Sequence, residues 1–143
     1  MFRMTSSPLC SLLVVLLAVT AAGCKRDTTF DPTPVVIPDP TTVVVEGSIM
    51  PNGAFTHPFL TFSFGTVQAT LVALEPDPEA IVGLALGTWN GASCQVIIAD
   101  DRATQGVVVT GRVASAGSLC VRVYDANGGL PGAVSFSIQL VHP

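Results

Sequence analysis

The residues of this 143-residue chain that could do chemistry are few and scattered. Asp100-Asp101 and Asp125 put carboxylates at the ends of two expected strands, where loops converge and oxygen ligands could gather around calcium. A complete D-x-D-x-D loop is missing, so solvated turn carboxylates with Arg102 as a partner are the simpler expectation. Glu75-Pro76-Asp77-Pro78-Glu79 is a rigid acidic turn. Acid–base work there needs burial or a partner to move the pKa values, and two prolines in an exposed turn supply neither. His57 and His142 stand alone, outside zinc-ligand spacing and without a Gly-x-Ser-x-Gly elbow, so structural roles are expected. Trp89, the only tryptophan, precedes the Asn90-Gly91 turn. It either contacts a sugar ring or a partner side chain or caps one end of the core. Tyr124 is a similar candidate ligand contact. Asn127-Gly128-Gly129 is followed by no helix whose amides would cradle phosphate. These residues compose no catalytic set, and neither an enzyme nor a cofactor is expected.

The four cysteines carry more information. An apolar run from Leu9 to Ala22 follows Arg3 and ends in Ala21-Ala22-Gly23-Cys24. The run is shorter than the roughly 20 residues that span a bilayer and fits the apolar region of a secretory signal. The segment Ala21-Ala22-Gly23-Cys24 resembles the bacterial lipobox, which implies cleavage before Cys24 and acylation of that cysteine. An ordinary signal with an incidental cysteine is the alternative. Cys10 falls in the discarded part. Two or three acyl chains, at ~0.8 kcal/mol per buried methylene, hold a protein on a membrane without a transmembrane helix. Lys25 in place of Asp is permissive for export to the outer membrane under the sorting rule of some bacteria with two membranes. Cys94 and Cys120 remain as an even pair without C-x-x-C spacing, which in an exported protein reads as a disulfide. Two separate buried thiols are the alternative.

Composition narrows the partners. Without residues 1–23, five basic residues stand against ten Asp and Glu. An acidic surface with no basic stripe excludes nucleic acid and electrostatic attachment to anionic lipid as expected partners. What remains is one domain plus a tether, long enough for its own core.

The elements that must position these residues are strands. From Thr42 onward apolar and polar residues alternate, as in Leu60, Phe62 and Phe64 against Thr61 and Ser63, or Val134, Phe136, Ile138 and Leu140 against Ser135, Ser137 and Gln139. Period-two alternation sends one set of side chains to a core and the other to water. Eight strands are expected at 42–49, 58–64, 66–74, 80–87, 93–99, 106–113, 118–125 and 133–141, separated by turn signals such as Pro51-Asn52-Gly53 and Asn127-Gly128-Gly129. Pro32, Pro34, Pro38 and Pro40 keep the segment before them extended. At about 3.1 Å per residue that tether reaches ~50 Å. If Val121 and Val123 face the core, Cys120 shares the outer face with Arg122 and Tyr124, so a Cys94–Cys120 bridge would staple an outer face and not cross the sandwich.

Gly65-Thr66-Val67-Gln68-Ala69-Thr70-Leu71, Val82-Gly83-Leu84-Ala85-Leu86-Gly87, Ala116-Gly117-Ser118-Leu119-Cys120-Val121-Arg122-Val123-Tyr124-Asp125 and Phe136-Ser137-Ile138-Gln139-Leu140 together resemble the bacterial pre-peptidase C-terminal domain, over about residues 45–143. The resemblance implies a jelly-roll-like sandwich.

The expected protein is all-β, a single jelly-roll-like antiparallel sandwich. It comprises a signal at 1–23, a lipidated Cys24 with a Pro-rich linker over 24–41, and a domain over 42–143. The expected role is that of a non-enzymatic envelope lipoprotein, facing the periplasm or exterior, whose sandwich is an interaction or adhesion module for an envelope protein or glycan. A carbohydrate-binding module, or an accessory domain for an envelope enzyme, is the alternative.

Overall fold

The computed structural model describes residues 39–143. The expected signal, Cys24 and the linker up to residue 38 lie outside the described residues. Eight strands follow: β1 (Thr41–Ile49), β2 (Ala54–Thr61), β3 (Gly65–Glu75), β4 (Val82–Trp89), β5 (Cys94–Ala103), β6 (Val108–Val113), β7 (Gly117–Tyr124) and β8 (Val134–His142). They form two antiparallel sheets, ordered β1-β8-β3-β6 and β2-β7-β4-β5. Only β4 and β5 are both consecutive in the chain and paired; every other connection crosses between sheets. This is the jelly-roll order, two Greek keys folded face to face. The all-β expectation holds.

The inner rows of both sheets make one core. Val45 and Ile49 come from β1, Val67, Ala69, Leu71 and Leu74 from β3, Val82, Leu84 and Leu86 from β4, Val121 and Val123 from β7, and Val134, Phe136, Ile138 and Leu140 from β8. The alternation in β8 is the cleanest, with its five odd-placed residues buried from Val134 to His142. In β3 a register shift between Leu71 and Ala73 leaves Val72 exposed and returns Leu74 to the core. An extra residue of this kind resets the period-two pattern. Among the described residues, every strand of both sheets and every residue of the core lies within residues 41–142.

One strand differs in register from the expectation. The alternation of Leu60, Phe62 and Phe64 suggested a core row over 58–64, but β2 ends at Thr61. Its core-side residues are Phe55 and Phe59, which pack against the cluster. Leu60 points outward, and Phe62 and Phe64 lie in the connection to β3, all exposed. A one-residue slip sends a whole apolar set to the other face. The deciding residues are Phe55 and Phe59, because Phe55 meets Phe136 edge-on at 5.2 Å. Pro58 does not end the strand because β2 is an edge strand, bonded only to β7, where a missing N–H is tolerated. At the other edge, β5 runs past its expected end at residue 99 to Ala103. It exposes Val96, Ile97 and Ile98. Two register shifts and the run Asp100-Asp101-Arg102 interrupt it as a template for foreign strands.

The pairing sorts the connections to two ends. Thr41 pairs with His142, Thr61 with Gly117 and Trp89 with Cys94 at one end, called here the Thr41 end. Ile49 pairs with Val134, Ala54 with Tyr124 and Val82 with Ala103 at the other, the Asp125 end.

Leu84 is fully buried in the middle of β4. Leu84→Ala is expected to lower unfolding free energy by about 2–5 kcal/mol, through lost transfer energy and the cavity left behind. Val44→Ala, on an exposed β1 position, should stay within about 0.5 kcal/mol. Urea unfolding of both variants checks the assignment of the core; equal effects would contradict it.

Candidate functional site

Strand β4 is buried on both faces from Val82 to Gly87. Val82, Leu84 and Leu86 face the core, so Gly83, Ala85 and Gly87 form the outer row. These small residues let other groups lie flat against the outside of the sheet. Gly83 pairs with Tyr124, and the tyrosine ring occupies the place where a side chain at Gly83 would be. The guanidinium of Arg122, one outer position along β7, stacks on that ring with Cζ 5.4 Å from its centroid. Such a cation over a π face is held electrostatically. The Tyr124 hydroxyl donates a short hydrogen bond to Asp101 of β5. The tyrosine pKa is pushed up to about 12, first by partial burial of the phenol and then by that hydrogen bond and the adjacent charge of Asp101.

Arg122 is the unusual member of the group. Its Nε is enclosed and has no hydrogen-bond partner. Asp101 is committed to Tyr124, and no carboxylate among the described residues bonds to the Arg122 guanidinium. An enclosed guanidinium nitrogen without an acceptor is costly unless something supplies one.

The disulfide lies on the same face. Cys94 of β5 bonds to Cys120 of β7 across β4, with Cα atoms 5.8 Å apart. Two strand spacings exceed that distance, so the start of β5 must bend over β4. Gly87 permits the bend, because the backbone of Gln95 lies where its Cβ would project. The bridge is therefore an outer-face staple, as the alternation around Cys120 suggested. Cys120 is nevertheless fully buried, roofed by the strand that it holds. Trp89 pairs with Cys94 and shares the outer parity of Gly87. It is half-buried there and does not cap the core. Trp89 and Tyr124 thus share one sheet face, but they sit six residues of β4 apart, about 20 Å, with Arg122 and the disulfide between them.

The other candidate residues have local duties. Asp125 accepts from the backbone amides of Asn52 at 2.9 Å, Gly129 at 3.0 Å and Leu130 at 3.4 Å. It ties the β1–β2 turn to the β7–β8 connection. Asp100 accepts from the Arg102 amide at 2.9 Å. Among the described residues no three His, Cys, Asp or Glu side chains converge as a metal would require. Asp77 accepts from the Glu79 amide at 3.0 Å, and both line an open groove of about 590 Å³ at the Asp125 end, with Pro76, Ile81, Leu130 and Pro131. His142 is buried and packs tilted against Phe59, ring centroids 5.1 Å apart. His57 is half-buried in β2, next to Val121 of β7. Sequence reasoning missed Arg122 as a site residue, although its place between Cys120 and Tyr124 in the same alternation put it on this face.

No protein-family model matches the chain, and no curated protein sequence matches it. Among solved structures, the fold is similar to the Yersinia pseudotuberculosis-derived mitogen, with a TM-score of 0.54 and 14% identity over 73% of this chain and 88% of that one. Aeromonas hydrophila PliG, a periplasmic lysozyme inhibitor of g-type lysozyme, gives a TM-score of 0.49 and 14% identity over 71% of this chain and 86% of that one. At this identity the first likeness establishes the sandwich fold alone.

The Asp125 carboxyl is held below its ordinary 3.8 mainly by the Asn52 amide; desolvation, the next largest effect, opposes this, and the amides of Leu130, Gly129 and Asn127 each add a smaller lowering. A depressed carboxyl contributes stability that is complete above its unfolded pKa and is lost as pH falls through the folded value. Asp125→Asn is expected to lower the melting temperature at pH 7 and to lose less between pH 7 and pH 2 than the native chain. Parallel calorimetric curves for the two proteins over that range would contradict this role.

Proposed function

We propose that this chain is a lipid-anchored envelope lipoprotein that presents its sandwich as a non-enzymatic interaction module, with the outer face of the β2-β7-β4-β5 sheet as the contact surface. The observation that carries the contact surface is Arg122, half-buried and stacked on Tyr124, whose guanidinium has no carboxylate partner among the described residues. An acidic group on a partner protein is the chemistry that fits it, since a guanidinium fork pairs with carboxylate in two parallel hydrogen bonds. Arginine and aromatic anchors of this kind carry a large share of the energy of many interfaces. The Cys94–Cys120 bridge supports an exported setting, because structural disulfides persist in oxidising compartments. The motif ending in Cys24 supports the anchor, and Lys25 supports the outer membrane where two membranes exist.

The intact mass of protein extracted from native membranes tests the anchor. The expected species begins at Cys24, carries acyl chains and lacks two hydrogens at Cys94 and Cys120. A soluble species with another N-terminus would remove the anchor. Crosslinking in those membranes tests the face: Arg122→Gln is expected to weaken the captured partner by about tenfold or more. Undiminished capture would exclude this face. Changes in Trp89 fluorescence across a glycan panel would move the reading to a carbohydrate-binding module.

A further inference from the structure

The apolar residues displaced from the expected core by the register of β2 gather at the Thr41 end. Phe62 is 79% exposed, Leu60 55% and Phe64 54%. Phe62 and Phe64 form the crossing from β2 to β3. Leu60 pairs with Ser118, and the continuation of the β4–β7 register sets Trp89 opposite Ser118 on its other side. Leu60 and Trp89 therefore share a transverse row on the outer face, two strand spacings or about 10 Å apart. The result is an apolar, aromatic rim of a kind that soluble proteins seldom leave uncovered without use.

Two further observations say what covers it. β1 begins at the same end, at Thr41. Only residues 25–38 separate Cys24 from the described chain. Charge is distributed in the same sense. Glu75, Asp77, Glu79 and Asp125 lie at the opposite end. Arg112, paired with Thr66, lies toward the Thr41 end. Among the described residues Asp39, just before β1, is the one side-chain carboxylate on that side.

We propose that the Thr41 end docks on a lipid bilayer, with Leu60, Phe62, Phe64 and Trp89 entering the headgroup region. This orientation rests on the anchored reading above and deepens it. Trp favours the membrane–water interface, and Phe and Leu side chains bury at the headgroup–acyl boundary, so the rim orients a domain that the acyl chains already hold. The acidic end then faces away from the membrane, and the Arg122 face stands beside it, open to a partner.

The test uses the mature-length chain, residues 24–143, oxidised at Cys94–Cys120 and with Cys24→Ser, so that no acyl chain contributes. It is floated with phosphatidylcholine vesicles, and the emission of Trp89, the only tryptophan, is read with and without lipids brominated near the headgroup. The expected result is measurable partition, a blue shift and quenching by the brominated lipid. Phe62→Ser/Phe64→Ser should reduce partition by about tenfold or more, while Met50→Ser, an exposed apolar change in the β1–β2 turn at the other end, should leave it unchanged. Absence of partition and of quenching overturns the proposal, as does partition that the double variant retains. Sedimentation of a dimer that the double variant abolishes, without vesicle binding, assigns the rim to a second copy and also overturns it. Failure here with an acylated Cys24 leaves the anchor standing, and an unacylated native Cys24 with vesicle binding leaves the rim standing.

Discussion

Everything distinctive about this sandwich depends on the double burial of β4. Its inner row of Val82, Leu84 and Leu86 completes the core, and its outer row of Gly83, Ala85 and Gly87 presents almost no side chain. A strand with bulky outer residues would keep its neighbours at arm's length. Here Tyr124 lies flat on Gly83, and β5 crosses above Gly87 far enough for Cys94 to reach Cys120. The disulfide then covers with backbone what glycine left bare. Loss of side-chain packing at three positions is offset by an aromatic ring, a guanidinium and a covalent tie, each drawn from a neighbouring strand.

That arrangement explains which parts of the structure were legible in the sequence. The β8 residues Val134, Phe136, Ile138 and Leu140 read plainly as a half-buried strand, because one face meets the core and the other meets water. The pairing of Val121 and Val123 inward also placed Cys120, Arg122 and Tyr124 outward, and with them an outer-face bridge. What the pattern could not convey was burial on that outer face. Cys120 is enclosed because β5 bends over β4, a consequence of tertiary contact and not of local alternation. Trp89 was ambiguous for the same reason: its parity makes it an outer residue, but only the strand order places it beside Cys94.

β2 shows the opposite failure, in which a strong local pattern was outweighed. Leu60, Phe62 and Phe64 alternate as well as any core row. Phe55 and Phe59 compete with them for the same space, and the two sets differ by one residue of register. The edge-on contact of Phe55 with Phe136 and the tilted contact of Phe59 with His142 decide for the second set. The sequence contains both options, and no local rule ranks them. A surplus of aromatic residues is thereby left at the surface, where the core has no use for it.

The two ends of the sandwich have consequently different physics. At the Asp125 end the loops are organised by polar groups: one carboxylate gathers amides from two connections, and Asp77 closes its own turn around Pro78. Such loops are held by hydrogen bonds and present carboxylates to water. At the Thr41 end the β2–β3 crossing holds Phe62 and Phe64 in the open, and the chain enters β1 beside it. Polar loops need no cover, whereas exposed aromatic side chains gain free energy from any apolar surface that reaches them. The face bearing Arg122 runs between the two ends, along the length of β4, and its half-buried guanidinium suits a polar acceptor and not apolar cover. The sandwich therefore separates two kinds of surface by direction, apolar at the end where the chain enters and polar on the flank of the second sheet, and the small outer residues of β4 are what let Tyr124 and Arg122 lie flat along that flank.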